Sequence, residues 1–259
     1  MAECVARFTA KPEDRESALC FYQSARGAEG RDAARKQLMR LEAQHPGRPW
    51  LPQVLGHVEL LSDVRAAEGA YRRAVQGFQR LHDAEGEVMA SINLRNVLIT
   101  QGRTGEAREW TQRIGEVARA SGRPELNARA LIVEAQERFD VEHDLGGAFR
   151  LLKRAEPLIF PGGSDSLKKQ YLTSLAMVSS QLGRLEEAIE VYHRLAELAR
   201  ATREGPMEAR VRFALANLAV QRHLRQPESG GRVQSLGLAR EALASAQKAG
   251  SKDAGGDVA

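Results

Sequence analysis

The segment Leu94-Arg95-Asn96-Val97-Leu98-Ile99-Thr100-Gln101-Gly102-Arg103-Thr104-Gly105-Glu106-Ala107 reappears further along the chain as Leu175-Ala176-Met177-Val178-Ser179-Ser180-Gln181-Leu182-Gly183-Arg184-Leu185-Glu186-Glu187-Ala188. Both copies read as an apolar helix, a Gly-Arg turn and a Glu-Ala pair that opens a second helix. The alanine after the turn recurs at Ala34, Ala67, Ala107, Ala148, Ala188 and Ala239, and the central spacings are 40, 41 and 40 residues. Periods of about 20 to 50 residues are typical of stacked repeats, so the sequence predicts an array of helical hairpins.

Composition and chain breakers favour helices over sheets. Of the 259 residues, 42% are hydrophobic, 28% are charged and 5% are aromatic, and runs with period-two alternation are missing. Strong breakers at 45–49, 121–124, 157–164, 204–206 and 226–231 divide the chain into pieces of helix length. We therefore predict an all-α fold, with Pro124 and Pro206 in first helical turns, where a missing N–H costs nothing.

The repeats predict one solenoid over residues 1–250, followed by a flexible C-terminal tail over 251–259. We expect six antiparallel hairpins, roughly at 12–46, 50–82, 85–121, 124–157, 165–202 and 206–249. A single hairpin cannot cover its own apolar stripe, so its stability comes from stacking on neighbouring hairpins.

The residues that follow the repeated alanine have a family pattern. A large apolar residue stands four positions later and a small or apolar residue three positions after that, as in Ala67, Tyr71 and Ala74. The same pattern occurs at Ala34, Leu38 and Leu41 (with Pro46 five further on), at Ala148, Leu152 and Ala155, at Ala188, Tyr192 and Leu195, and at Ala239, Leu243 and Ala246. The chain resembles the tetratricopeptide repeat (TPR) family up to about Gly250. Its repeats of about 40 residues are similar to the longer variety of kinesin light chain and of sensor modules in bacterial signalling proteins.

The resemblance implies a right-handed superhelical solenoid in which the first helix of each hairpin lines a concave face. The third repeat departs from the pattern, with Thr111 in place of a large apolar residue and Arg95 in place of Gly or Ala. We expect either a rotated hairpin there or an ion pair between Arg95 and an acid such as Glu85 or Glu87, because an unpaired buried arginine is costly.

The predicted binding surface consists of positions three and four apart on the first helices. Counted from the Gly-Arg turns, the residues expected to be exposed there are Ile92, Asn93, Asn96 and Thr100 in the third repeat and Ser174, Met177 and Gln181 in the fifth. The final repeat, aligned on Asn217-Leu218-Ala219, adds Phe213, Asn217 and Val220, and the equivalent position in the fourth repeat is Gln136. In peptide-binding members of the family an asparagine at this position holds the main chain of the ligand, because a carboxamide both donates and accepts hydrogen bonds. Asn93 and Asn217 are the candidates here. The alternative is that each faces solvent or caps a neighbouring helix.

Charge and cysteine content restrict the class of partner. The formal charge is +4, and Arg and Glu alternate along helices rather than clustering, so nucleic acid is disfavoured as a partner. We expect no membrane segment because no 18 apolar residues run together, and we expect cytoplasmic residence. Cys4 and Cys20 are expected to be buried thiols rather than a disulfide.

Catalytic and metal motifs are missing from the sequence. The six histidines form no H-E-x-x-H pair, and Glu142-His143-Asp144 reads better as a helix start capped by Asp144. We predict no cofactor, no metal and no enzyme activity. The predicted function is a protein-interaction scaffold or sensor module that binds a peptide segment or partner helix in the concave groove, and self-association stays open. The alternatives are an N-terminal regulatory part of a larger protease or kinase and, less favoured, a helical-repeat nucleic-acid binder.

Overall fold

A computed structural model describes residues 2–11, 15–25, 27–160, 162–225 and Gly237. In this part of the chain every regular element is a helix, which confirms the all-α prediction. The helices are α1 (Ala2–Ala10), α2 (Arg15–Ser24), α3 (Gly27–Gln44), α4 (Trp50–Glu59), α5 (Val64–Arg80), α6 (Ala84–Thr100), α7 (Thr104–Ser121), α8 (Pro124–Asp140), α9 (Leu145–Ile159), α10 (Asp165–Gln181), α11 (Leu185–Ala201) and α12 (Gly205–Arg225).

The helices form two compact units, Met1–Ala130 and Leu131–Ala259, and the boundary falls inside α8. In the first unit each helix from α1 to α6 packs on the next one in the chain, and α2 also packs on α4. In the second unit α9 packs on α10, α10 on α11 and α11 on α12. The second helix expected at Ala239, Leu243 and Ala246 and the tail expected at 251–259 lie outside the described residues.

The repeated alanines lie where successive helices come closest. Ala34, Ala67, Ala107, Ala148 and Ala188 are all buried. In the first unit, Ala67 belongs to a core cluster with Phe78 and Leu94. A Cβ atom added to Gly86 would lie 2.1 Å from Cδ1 of Phe78, so the contact between α5 and α6 leaves no room for a side chain at Gly86. Small residues thus let the helices approach, and larger ones fill the space between them.

Short polar and glycine signals start and stop the helices as the sequence predicts. Pro124 opens α8 and Pro206 lies in the first turn of α12. Asp144 caps α9, because its carboxylate accepts the backbone N–H of Gly147 at 2.7 Å. Gly102 and Gly183 follow α6 and α10 with φ of 74°, a left-handed conformation that favours glycine.

The prediction of two buried thiols is wrong. Cys4 on α1 and Cys20 on α2 form a disulfide, with their Cα atoms 5.3 Å apart. This spacing lies within the range of about 4.4–6.8 Å that disulfides require. The sequence analysis placed no helix before residue 12, so it had no reason to bring Cys4 beside Cys20.

Candidate functional site

A cleft in the second unit is bordered by first helices of successive repeats. Its volume is about 500 Å³, and α8, α10 and the start of α12 all contribute to its lining. We define this cleft by Gln136, Phe139 and Asp140 on α8, Lys169, Gln170, Thr173, Ser174 and Met177 on α10, and Glu204 and Met207 at the start of α12, together with Ala135, Leu152, Ser166 and Val178. A volume of roughly 300–1,000 Å³ is usual for ligand sites in proteins.

Three predicted site residues meet in this cleft. The carboxamide Nε2 of Gln136 donates to Oγ of Ser174 at 3.4 Å, which ties α8 to α10 across the floor. Met177 lies one helical turn further along α10 and is 44% exposed, so its thioether is available to an incoming apolar group. Ser174 was expected to be exposed but is only 8% exposed, because it lies on the floor of the cleft rather than on the rim.

The sequence analysis did not identify the ion pair at one end of the cleft. Lys169 on α10 forms a short salt bridge with Glu204, and its ammonium also donates to Oγ1 of Thr202 at 3.4 Å. The Lys169 side chain is nearly buried, whereas that of Glu204 is more open. Lys169 precedes Thr173 by four residues and therefore shares its helical stripe, and that spacing is the signal that would have identified Lys169 as a site residue, although not Glu204 as its partner.

The predicted residues of α12 lie together on an exposed face. Phe213, Asn217 and Val220 follow a spacing of four and three residues, and all three are exposed, Phe213 by 59%. Gln181 is also exposed and is the last residue of α10. Phe213 and Val220 are seven residues apart and therefore lie on the same exposed side of α12, while the helix also packs on α11.

In the first unit the predicted residues lie on α6. Asn96 and Thr100 are exposed and Asn93 is half-buried. Ile92 was also expected to be exposed, but it is only 8% exposed. It stands one turn after Val88, which is buried, so it extends the packed side of α6 rather than the open side.

The two residues that depart from the repeat pattern, Arg95 and Thr111, are in direct contact. Arg95 is buried, and its Nε donates to Oγ1 of Thr111 at 3.1 Å, while its NH1 donates to Oδ1 of Asn96 at 3.2 Å. This repeat thus carries the large residue, Arg95, on its first helix and the small residue, Thr111, on its second helix, and the two are in contact. The expected acidic partners are engaged elsewhere, Glu85 with Arg123 and Glu87 with Arg113.

The part of the chain that the structure describes offers neither a metal site nor a membrane-spanning helix. No group of three or more His, Cys, Asp or Glu side chains in this part of the chain is arranged to hold a metal ion. None of the described helices is long and apolar enough to cross a membrane.

Comparison with known proteins gives matches in structure alone. No family model matches the chain, and no curated protein matches it. A chain of the APC/C hetero-tetramer Cut9–Hcn1 is similar at a TM-score of 0.62 and 15% identity, over 93% of this chain and 45% of that one. The apo form of RapI is similar at 0.56 and 14% identity, over 96% of both chains.

A third similar structure carries the name of the repeat. The TPR-like repeats of a chain described as a kinesin light chain of Podospora anserina match at a TM-score of 0.57 and 17% identity, over 79% of this chain and 97% of that one. The chain described here spans less than half of the Cut9–Hcn1 chain that it matches. These likenesses show a TPR-like helical repeat fold, as the residue pattern predicts.

Proposed function

From this TPR-like fold we propose that the protein is a non-enzymatic scaffold or sensor module, which binds a peptide segment or a partner helix along the first helices of its hairpins. The observation that carries the proposal is the cleft of the second unit, because its lining comes from α8, α10 and the start of α12. Side chains far apart in sequence thus border one opening of about 500 Å³.

The chemistry of the first helices suits a polypeptide ligand. Apolar groups are open to solvent at Met177, Phe213 and Val220. Amide groups stand beside them at Asn217 and Gln181, and both are exposed. Apolar side chains supply affinity through burial, and carboxamides pair with the N–H and C=O groups of an extended main chain.

Surface charge supports a protein partner over nucleic acid. Many exposed arginines already lie within ion-pair distance of a carboxylate, as in Arg73 with Glu42 at 2.7 Å and Arg113 with Glu87 at 3.0 Å. Nucleic-acid binding requires Lys and Arg groups that are available to phosphates along one face. Arginines that are paired with glutamates instead form a mixed surface of low net charge.

The similar structures agree with this class of function. The structure with the highest TM-score among those described above is a hetero-tetramer, so one protein of similar fold assembles with other protein chains. We extend to the present chain only the general property of binding protein, and the partner's identity is a matter for experiment.

The test is affinity capture with the wild-type chain beside an Asn93→Ala, Asn217→Ala double variant, followed by mass spectrometry. If the two carboxamides hold a ligand main chain, at least one protein captured by the wild type is lost from the double variant. The matched control is a Gln76→Ala, Gln112→Ala double variant, because these exposed amides lie on the second helices α5 and α7. The control should retain the captured protein.

Other results would count against the proposal. Identical sets of captured proteins from all three baits would remove the asparagines from the site. Loss from the control as well as from the test variant would show that truncation of any amide disturbs capture, and would place the interaction away from the first helices.

A further inference from the structure

Resting on the proposed function, we infer that the cleft selects an internal peptide segment with a large apolar anchor residue and a neighbouring Lys or Arg, the basic group pairing with Asp140. The occupant is thus a neutral-to-basic segment of a partner protein, held by its side chains. The inference comes from the charges and the apolar lining of the cleft rather than from the repeat pattern.

The apolar anchor residue of the peptide would enter among apolar side chains of the cleft. Phe139, Met177 and Met207 border the opening from three different helices, so an entering apolar side chain meets apolar groups on several sides. The cleft is larger than a single side chain and leaves room for the adjoining main chain, which Gln170 and Thr173 face from α10. Burial of a Leu, Met or Phe side chain is the main source of affinity for such a site.

The charged side chains of the lining make a carboxylate an unfavourable group for the cleft to bind. Lys169 is the cationic residue of the lining, but its ammonium is bound by Glu204 and Thr202. An entering peptide carboxylate would have to displace Glu204 from Lys169, and the lining carries a second carboxylate, Asp140. The lining therefore disfavours a free peptide C-terminus and an acidic side chain.

The basic residue of the peptide is expected beside Asp140. Asp140 is exposed at the C-terminal end of α8, and Glu204 is the other carboxylate of the lining, so two carboxylates face one lysine. Glu204 is occupied by Lys169, which leaves Asp140 as the natural partner of an added cation. The basic residue of the partner should lie toward α8.

The test uses random 12-residue segments displayed on phage, flanked at both ends so that none has a free C-terminus, and selected on the whole chain. We expect the selected sequences to be enriched in a large apolar residue with Lys or Arg within four positions. A selected sequence is then made as a labelled peptide, and its dissociation constant is measured by fluorescence anisotropy. Asp140→Lys should weaken binding by about threefold to tenfold, because an exposed charge pair is replaced by a repulsive one.

Two matched changes separate charge pairing from damage to the fold. Glu190→Lys makes the same charge change at an exposed site on the second helix α11 and should leave binding unchanged. Exchanging the basic residue of the peptide for Glu should restore binding to the Asp140→Lys variant and weaken binding to the wild type.

The outcomes distinguish this inference from the function on which it rests. Peptides that bind without a basic residue, or that bind the Asp140→Lys variant equally well, overturn the inference. The proposed function survives that result if Met177→Glu still abolishes their binding. If no peptide is selected, or if Met177→Glu leaves the dissociation constant of every selected peptide unchanged, the proposed function fails as well.

Discussion

The first helices α6 and α10 occupy the same place in their repeats but present different surfaces. In the register set by the two Gly-Arg turns, Arg95 of α6 corresponds to Ala176 of α10, and Asn96 corresponds to Met177. On α6 the arginine is buried and binds the neighbouring Asn96 carboxamide. On α10, Ala176 is buried and has no polar side-chain group that needs a hydrogen-bond partner, and Met177 lines the cleft.

The partner residues on the second helices change in the opposite direction. Thr111 stands four residues after Ala107, whereas Tyr192 stands four residues after Ala188. A large first-helix residue is thus combined with a small second-helix residue in one repeat, and the reverse holds in the other. The summed side-chain size at these two positions is thus similar in the two repeats, and the larger residue lies on the first helix in one repeat and on the second helix in the other.

The largest effect is expected where this volume rule is broken outright. On α4, a Cβ atom added to Gly56 would lie 2.5 Å from Cε1 of Tyr71, which stands four residues after Ala67. We expect Gly56→Ala to lower the free energy of unfolding by about 1–3 kcal/mol through overpacking, measured by urea denaturation.

A second glycine provides the control. The nearest atom to a Cβ on Gly69 of α5 is the flexible NH1 of Arg73 at 3.8 Å. Gly69→Ala should therefore stabilise the chain by about 0.5–1 kcal/mol through helix propensity. Equal stabilities for the two variants would show that the contact between Gly56 and Tyr71 does not limit packing.

A double-mutant cycle tests whether Arg95 and Thr111 share one space. Arg95→Ala alone leaves a void, Thr111→Tyr alone overfills the site, and each should cost about 1–3 kcal/mol. The combined variant carries the same two residue types as positions 176 and 192 of the other repeat, so it should recover about 1–2 kcal/mol relative to the sum of the single changes. Thermal and urea unfolding of the four proteins give this coupling, and strict additivity would refute the exchange of volume.

The smallest effect on stability is expected from the charge of the N-cap residue of α9. The N-cap residues of α7 and α11 are Arg103 and Arg184, which give no side-chain cap bond, whereas α9 begins at a charged cap, Asp144. The N–H of Gly147 lowers the pKa of Asp144, and Arg138 adds to this effect. The contribution of the charged Asp144 carboxylate to folding stability is therefore fully present above its unfolded pKa of about 4. It is lost as the pH falls through the lower pKa of the folded state.

Asp144→Asn keeps an oxygen acceptor at the cap and removes the charge. We expect the wild type to melt at a higher temperature than this variant at pH 7, with the difference shrinking as the pH is lowered below about 4. A difference that does not change with pH would mean that the charge of Asp144 has no part in holding α9.

Local sequence signals predict much of the fold. Residues such as Ala67, Pro124 and Asp144 act through sterics or hydrogen bonds to nearby backbone, and their roles follow from spacing. The grouping of the hairpins into a single solenoid, the hairpin limits and the long-repeat variety of the family stay predictions.

The site is predicted less completely because exposure depends on neighbouring helices. Met177, Phe213 and Asn217 are open, as a helical stripe predicts. Ile92 is covered although it belongs to the same pattern, because the packed face of α6 is wider than one stripe. Spacing also gave no indication that Lys169 meets Glu204, since that contact joins α10 to the loop before α12. Nor did it indicate the disulfide between Cys4 and Cys20, for which α1 has to lie against α2.

Photo-crosslinking at two methionines tests most directly whether the first helices form the binding surface. Met177 on the first helix α10 is 44% exposed, and Met39 on the second helix α3 is 51% exposed, so the two positions are equally accessible but lie on different helices of their repeats. A photoreactive residue replaces one or the other in the whole chain, and the captured protein is irradiated with each variant. The proposal predicts a crosslinked partner from position 177 and none from position 39. Crosslinking from position 39 alone, or equally from both, would contradict it.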